Sequence, residues 1–265
     1  MGVYPTYELL IRLPGKTLEI AYTRDGLRNK GLVDILAIAK KAGVHTFENA
    51  QLVGKIAKRE GAYVVAAFKK DLPRLEPGTN HVVLVNPSDM GNLGTTIRTM
   101  ASFGINNLAI IKPSADVFDP KTVRASMGSL FQMRFDYFSS YADYRTKFHN
   151  HLYTFVTGSQ DMLAATNFVS PYALVFGNEG SGLDKDISKH GQPVSIEQTT
   201  STDSLNVTVT VGIVLHTVYT KTAAYALRRR LRTKTAAYAL RGCTQLSIKA
   251  QNSGCGFNGL DLYSG

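Results

Sequence analysis

The chain has almost no cysteine: only Cys243 and Cys255 occur, both in its last quarter. Composition therefore argues against a disulfide framework, and the folded part reads as a cytoplasmic protein. No apolar run approaches the roughly 18–20 residues of a membrane span. The first residues, Met1-Gly2-Val3-Tyr4-Pro5, lack the basic-then-apolar layout of a secretory signal. No membrane partner is expected. Several chemical signatures are also missing. The glycine loop Gly177–Gly182 is not followed by the Lys-Ser/Thr pair a P-loop requires, and its glycine spacing is not that of a GxGxxG dinucleotide site. No Gly-x-Ser-x-Gly elbow supports a hydrolase. His149 and His151 flank Asn150 without a Cys, Asp or Glu at ligand spacing, so no metal site is expected.

What is present is uneven charge over 265 residues. Residues 1–80 hold 13 Lys/Arg against 8 Asp/Glu, residues 81–220 hold 9 against 11, and residues 221–265 hold 8 against 1. Basic ends around a nearly neutral middle suit a protein that catches a polyanion with its flanks and does chemistry between them. A merely solubilising surface explains the same counts.

The pattern of apolar residues divides the chain. Leu18–Tyr22, Val44–Phe47 and Ala62–Phe68 read as strands, with helices over Gly31–Ala42 and Ala50–Arg59 between them. That is a small β-α-β-α-β sandwich over residues 1–75. Its first 17 residues are shorter than the usual helical lead-in of such modules. A breaker-rich linker, Asp71 to Thr79, precedes a second α/β series over about 80–221. Strands are expected at His81–Val85, Leu108–Ile111, Leu152–Val156, Ala173–Phe176 and Gln192–Ile196. Helices are expected over Leu93–Phe103, Val117–Leu130 and the apolar run Ser204–Tyr219. Residues 222–265 form a basic tail in which Thr220–Arg228 recurs as Thr233–Arg241, followed by a Gly-, Asn- and Ser-rich stretch expected to be partly disordered.

Three segments lie where apolar runs give way to small and polar residues, the place where a parallel α/β sheet presents binding loops. In Asn92-Leu93-Gly94-Thr95-Thr96-Ile97-Arg98, an asparagine and a permanently charged guanidinium stand near a helix start. With Asn92 in the loop, both reach one pocket. Gly177-Asn178-Glu179-Gly180-Ser181-Gly182-Leu183 offers backbone able to approach a ligand closely. An ordinary turn would explain the glycines alone. Ser204-Leu205-Asn206-Val207 opens the final apolar run, with Ser204 a plausible N-cap.

The order and spacing of these segments resemble the three motifs of SpoU-type RNA 2′-O-ribose methyltransferases of the SPOUT class. The likeness spans about 205 residues and is sharpest at the second and third motifs. It implies a SPOUT-type α/β domain with a C-terminal trefoil knot, preceded by a small RNA-binding sandwich. It also implies S-adenosylmethionine as cofactor, a homodimer, and methyl transfer to a ribose 2′-hydroxyl of structured RNA. Ribosomal RNA is the first choice and tRNA the second.

By that resemblance Arg98, Asn92, Glu179, Ser204 and Asn206 form the catalytic set. Arg98 helps deprotonate the 2′-hydroxyl. A free guanidinium, with a pKa above about 12, is a poor base. It therefore works with the substrate's own phosphate or stabilises the developing alkoxide. Phe176, Gly177, Asn178, Gly180, Ile196, Ser204 and Leu205 line the cofactor pocket. Val123-Arg124-Ala125-Ser126-Met127-Gly128 resembles the family's Arg-x-Ser-x-Gly-Ala stretch, so Arg124 and Ser126, with Arg98, contact RNA. The segment Glu197–Asp203 departs from the family's Gly-containing approach. A catalytically silent RNA-binding protein is the rival from another class, and a nucleotide-dependent oxidoreductase is disfavoured by the missing dinucleotide fingerprint.

Overall fold

The computed structural model describes residues 1–57, 61–199 and 204–222; most of the repeat-containing tail lies outside them, as do Thr200–Asp203. Met1–Thr217 forms one compact unit, and the described residues of the second unit, 218–222, are helical. In chain order the first unit contains α1 (Val3–Arg12), β1 (Thr17–Tyr22), α2 (Lys30–Lys41), β2 (His45–Glu48), α3 (Ala50–Ala57) and β3 (Val64–Phe68). There follow β4 (His81–Val85), α4 (Met90–Ser102), β5 (Asn107–Ile111), α5 (Pro120–Ala125), β6 (Arg134–Phe138) and α6 (Tyr141–Lys147). The unit ends with β7 (His151–Phe155), β8 (Tyr172–Phe176), α7 (Lys185–Ser188), β9 (Gln192–Val194) and α8 (residues 207–217).

Two sheets result. The first has the order β2-β1-β3, with β1 parallel to β2 and antiparallel to β3. The second has the order β6-β5-β4-β8-β7-β9, and all its pairings are parallel. Its central strands β4, β5 and β8 are buried at every position, which explains their unbroken apolar runs: helices cover both faces of a parallel sheet. The core on one face joins Val83, Val85, Ala109, Ile111 and Val175 to the rings of Phe138, Tyr144 and Phe148. Phe68 of β3 meets Phe118 and Phe131, with ring centroids 5.9 and 5.2 Å away, and so ties the first sheet to the second half of the unit.

The short segment before β1 holds a helix of ten residues, α1, which buries Thr6, Leu9 and Leu10. Three local expectations change. The helix expected over 117–130 is cut short. Asp119 caps α5 by accepting a hydrogen bond from the Lys121 N–H, but Met127 and Gly128 turn left-handed (φ 50° and 81°). Glu8 of α1 packs so close that a Cβ at position 128 would lie 2.7 Å from its own Cβ. β6 and α6 are additions to the expected elements: β6 is an edge strand whose first four residues, Arg134 to Tyr137, are all partly buried, so burial does not alternate along it. Finally, Asn206 rather than Ser204 caps α8. Its side-chain oxygen accepts from the Thr208 N–H at 2.8 Å, and its carbonyl accepts from the Val209 and Thr210 N–H groups, each at 3.0 Å.

At the opposite end of the sheet from the candidate motifs, His81 is fully buried. Its Nδ1 lies 3.0 Å from the Tyr144 hydroxyl and its Nε2 3.0 Å from the Glu76 carbonyl. With the proton on Nε2, that nitrogen donates to Glu76 and Nδ1 accepts from Tyr144, so every polar atom of the pair is used. Burial lowers the His81 pKa, against the opposing pull of the Glu76 carbonyl.

Candidate active site

The strand order reverses at β4 and β8, which come from distant parts of the chain yet lie side by side. A crevice opens outside the carboxyl ends of strands at such a switch point. Beside that switch point, on the far side of β8 from β4, lies a cavity of about 530 Å³ over the ends of β7, β8 and β9. Phe155 and Phe176 stack at its base, 4.7 Å apart and 11° from parallel. The loop 177–183 forms one wall, and Ile196, Gln198, Ser204 and Leu205 belong to another.

The glycine loop is shaped by its own polar groups. Asn178 and Gly182 exchange backbone hydrogen bonds in both directions, each 3.0 Å. The Asn178 side-chain oxygen accepts from the N–H groups of Gly180 (2.9 Å) and Ser181 (3.1 Å), while its amide nitrogen donates to the Asn86 carbonyl at 2.7 Å. Gly177 has no room for a side chain: a Cβ would stand 2.2 Å from the carbonyl carbon of Gly182 and 2.3 Å from the Leu183 nitrogen. Glycine at this position is therefore required by the packing of the loop on its own backbone.

Glu179 joins this loop to the start of α4. Its carboxylate accepts from the Ser88 N–H (3.2 Å), the Ser88 hydroxyl (3.0 Å), the Asp89 N–H (3.3 Å) and the Asn92 side-chain amide (3.4 Å). Asn178 Nδ2 donates a further bond at 3.2 Å. Partial burial pushes the Glu179 pKa up, but its own backbone N–H together with the Ser88 and Asp89 donors outweighs this and holds the carboxyl below its ordinary value. The group stays ionised at neutral pH and acts as a fixed acceptor. Asp89 caps α4 by accepting from the Asn92 N–H at 2.7 Å. That bond leads the causes that hold the Asp89 carboxyl below its ordinary value.

All seven residues read from the sequence as cofactor-lining, Phe176, Gly177, Asn178, Gly180, Ile196, Ser204 and Leu205, border this one cavity, as does Glu179. Asn92 sits in the first turn of α4 rather than in the loop, and reaches the site through Glu179. Arg98 is two turns further along, exposed, and does not border the cavity; among the described residues its guanidinium has no hydrogen bond or ion pair. Asn206 turns its side-chain oxygen to α8. Arg124 is half-buried with Nη1 3.5 Å from the Met1 sulfur. Ser126 is fully buried, and its hydroxyl donates to the Val123 carbonyl at 2.8 Å, so in this conformation it serves the turn after α5 and not an external phosphate.

Ser88, Asp89, Thr157, Lys185 and Ser188 were not singled out by sequence. A signal existed for two of them, since Ser88-Asp89 directly precedes an amphipathic run and Asp89 stands three residues before Asn92, as a helix cap does. Among the described residues no cluster of three His, Cys, Asp or Glu side chains is placed to hold a metal, and no helix is long and apolar enough to cross a membrane.

The parallel sheet with a knuckled glycine loop beside its switch point defines an α/β protein with a ligand-sized cavity at its strand ends. Residues 79–216 match the SpoU rRNA methylase family model, and the chain belongs to that family. An uncharacterized tRNA/rRNA methyltransferase of Synechocystis is 32% identical over 141 residues, 51% of each protein; the chain thus spans about half the length of that relative. The 23S rRNA (guanosine-2′-O-)-methyltransferase RlmB of Acinetobacter baylyi is 26% identical over 81% of this chain and 94% of its own length. Among solved structures, an AdoMet-bound rRNA methyltransferase from Sinorhizobium meliloti superposes with a TM-score of 0.67 over 81% of this chain and 83% of that one, at 23% identity.

Proposed function

We propose that the chain transfers a methyl group from S-adenosylmethionine to a ribose 2′-hydroxyl of structured RNA, ribosomal RNA first and tRNA second. The observation that carries this reading is the hydrogen-bonded junction at Glu179. It brings the cavity-forming glycine loop and the Asn92 segment into one constellation at the sheet's switch point.

The cavity suits the donor. Stacked Phe155 and Phe176 with Val194, Ile196 and Leu205 give an apolar wall, and the Gly177 backbone permits close approach. When bound, the donor supplies an electrophilic methyl carbon on a sulfonium. The protein's part is chiefly to align the two reactants. Glu179 holds Ser88, Asp89 and Asn92 in register with the cavity wall, while Arg98 orients the ribose or stabilises the forming alkoxide.

Arg98 does not border the cavity of its own chain, so a second copy is proposed to deliver it. The helix that carries Arg98 lies beside α8, where Phe103 and His216 meet with centroids 6.0 Å apart. α8 leaves Val209 48% and Ile213 37% exposed, four residues apart on one face. A homodimer covering that face agrees with the resemblance, as does a C-terminal trefoil knot. Residues 1–75, with their excess of cations, are proposed to hold RNA while residues 80–221 carry out the transfer. A cytoplasmic location fits the same reading.

Purified protein incubated with isotope-labelled S-adenosylmethionine and unmodified transcripts of large-subunit rRNA and of tRNAs tests the proposal. Label recovered in a 2′-O-methylated dinucleotide after nuclease digestion supports it. Label on a base, or none on either RNA, rejects it.

A further inference from the structure

Resting on that reading of the cavity, we infer that Lys185 is the residue that grips the carboxylate of the donor's amino-acid moiety. Of the described residues that border the cavity, only Glu179 and Lys185 carry charge. Glu179 is committed: five hydrogen bonds from Ser88, Asp89, Asn92 and Asn178 occupy its two oxygens. Lys185 is uncommitted. No described carboxylate lies within 4 Å of its ammonium, although acidic side chains flank it in sequence.

Those neighbours are engaged elsewhere. Asp184 caps α7 by accepting from the Asp186 N–H at 2.7 Å. Asp186 pairs with Lys189 at 3.3 Å. Among the described residues, the hydrogen bonds of Lys185 fall on its carbonyl, which accepts from the Ser188 hydroxyl at 2.7 Å and the Lys189 N–H at 3.2 Å. Its side chain is therefore an exposed cation at the rim of a cavity whose other lining groups are neutral apart from the satisfied Glu179.

The chemistry of the donor makes the match specific. S-adenosylmethionine has a nucleoside, which the apolar wall of Phe155, Phe176, Val194, Ile196 and Leu205 suits, and an amino-acid arm that ends in a carboxylate. A carboxylate needs cationic or N–H donors when it leaves bulk water. Sheet order separates the two charged lining groups. Glu179 faces the β4 side of β8, while α7 lies over β7, where the Thr154 hydroxyl donates to the Ser188 carbonyl at 3.3 Å. A donor that spans the cavity can thus present its methyl towards the Glu179 side and its carboxylate towards Lys185. Lysine is a compact point charge on a flexible stem, suited to following the arm as it enters and leaves.

Calorimetry on the full chain tests this with two ligands that share the nucleoside thioether. S-adenosylhomocysteine carries the amino-acid arm, and 5′-methylthioadenosine lacks it. Lys185→Ala is expected to weaken S-adenosylhomocysteine about tenfold, the loss of one hydrogen bond between charged groups. Lys185→Glu should weaken it further, Lys185→Arg should retain most of the affinity, and 5′-methylthioadenosine should bind all four proteins alike. Equal weakening of both ligands, or unchanged binding of S-adenosylhomocysteine to Lys185→Ala, overturns the assignment while leaving the proposed function standing. If the unaltered protein binds neither ligand, the reading of the cavity as a donor site falls, and this assignment falls with it. Thermal denaturation of the exposed-site variants should match the parent, so a folding defect is recognised separately.

Discussion

The Ser88 hydroxyl donates to the Glu179 carboxylate at 3.0 Å across 91 positions of sequence. This bond and its neighbours lock the glycine loop after β8 to the turn after β4, and make one site from two strand ends. Glu179→Gln keeps the volume but brings an NH₂ group against the Ser88 and Asp89 N–H donors. Methyl transfer should fall at least about tenfold, the cost of removing a hydrogen bond to a charged acceptor. The Glu179 pKa is lowered on folding, so the carboxylate adds stability above its unfolded value and loses it as pH falls through the folded one. The melting temperature of the parent should therefore decline more steeply below pH 4.5 than that of Glu179→Gln.

Gly177→Ala places a methyl group 2.2 Å from backbone that cannot yield without opening the loop. S-adenosylhomocysteine binding should be lost or weakened by at least about tenfold, in line with the roughly 1–3 kcal/mol of overpacking in a tight site. Isothermal calorimetry reads this directly, and circular dichroism should show the fold retained.

Arg98→Ala should abolish transfer while S-adenosylhomocysteine affinity stays within about twofold, because the side chain does not border the cavity. If a second copy supplies Arg98, a mixture of Arg98→Ala and Gly177→Ala chains should regain part of the activity that neither has alone. Activity assays on co-expressed chains, each carrying a different affinity tag, check this.

His81 is buried with its pKa lowered by desolvation. The unfolded chain takes up a proton near pH 6.5 while the native ring resists it, so stability falls as pH drops below 6.5. His81→Phe should flatten that part of the pH profile. Tyr144→Phe should cost about 1–3 kcal/mol by leaving the buried His81 Nδ1 unsatisfied, as measured by denaturant melts.

The sheet was legible because its central strands are buried on both faces, so Val82, Leu108 and Leu174 lie in unbroken apolar runs that need no partner to be recognised. β6 was not, because an edge strand with Phe135 and Tyr137 on an aromatic surface ladder has no clean alternation. The cavity residues follow from the family resemblance that the glycine loop and the Ser204 segment carry, not from their local chemistry alone. Lys185 and Thr157 carry no local signal and join the site only through the packing of β7 and α7. The capping role of Asn206 was assigned to Ser204 because both are good caps, and only the true start of α8 decides between them. The placement of Arg98 differs for another reason: helical phase shows that positions 92 and 98 diverge, but not that position 98 lies outside the cavity altogether.

Mass spectrometry of ribosomal RNA nucleosides from cells with and without the protein is the most direct test of the account. It predicts that one 2′-O-methylated nucleoside disappears when the protein is absent, and returns with the parent chain but not with Arg98→Ala. Unchanged ribose methylation in ribosomal and transfer RNA alike, with the protein present in one culture and missing from the other, would contradict it.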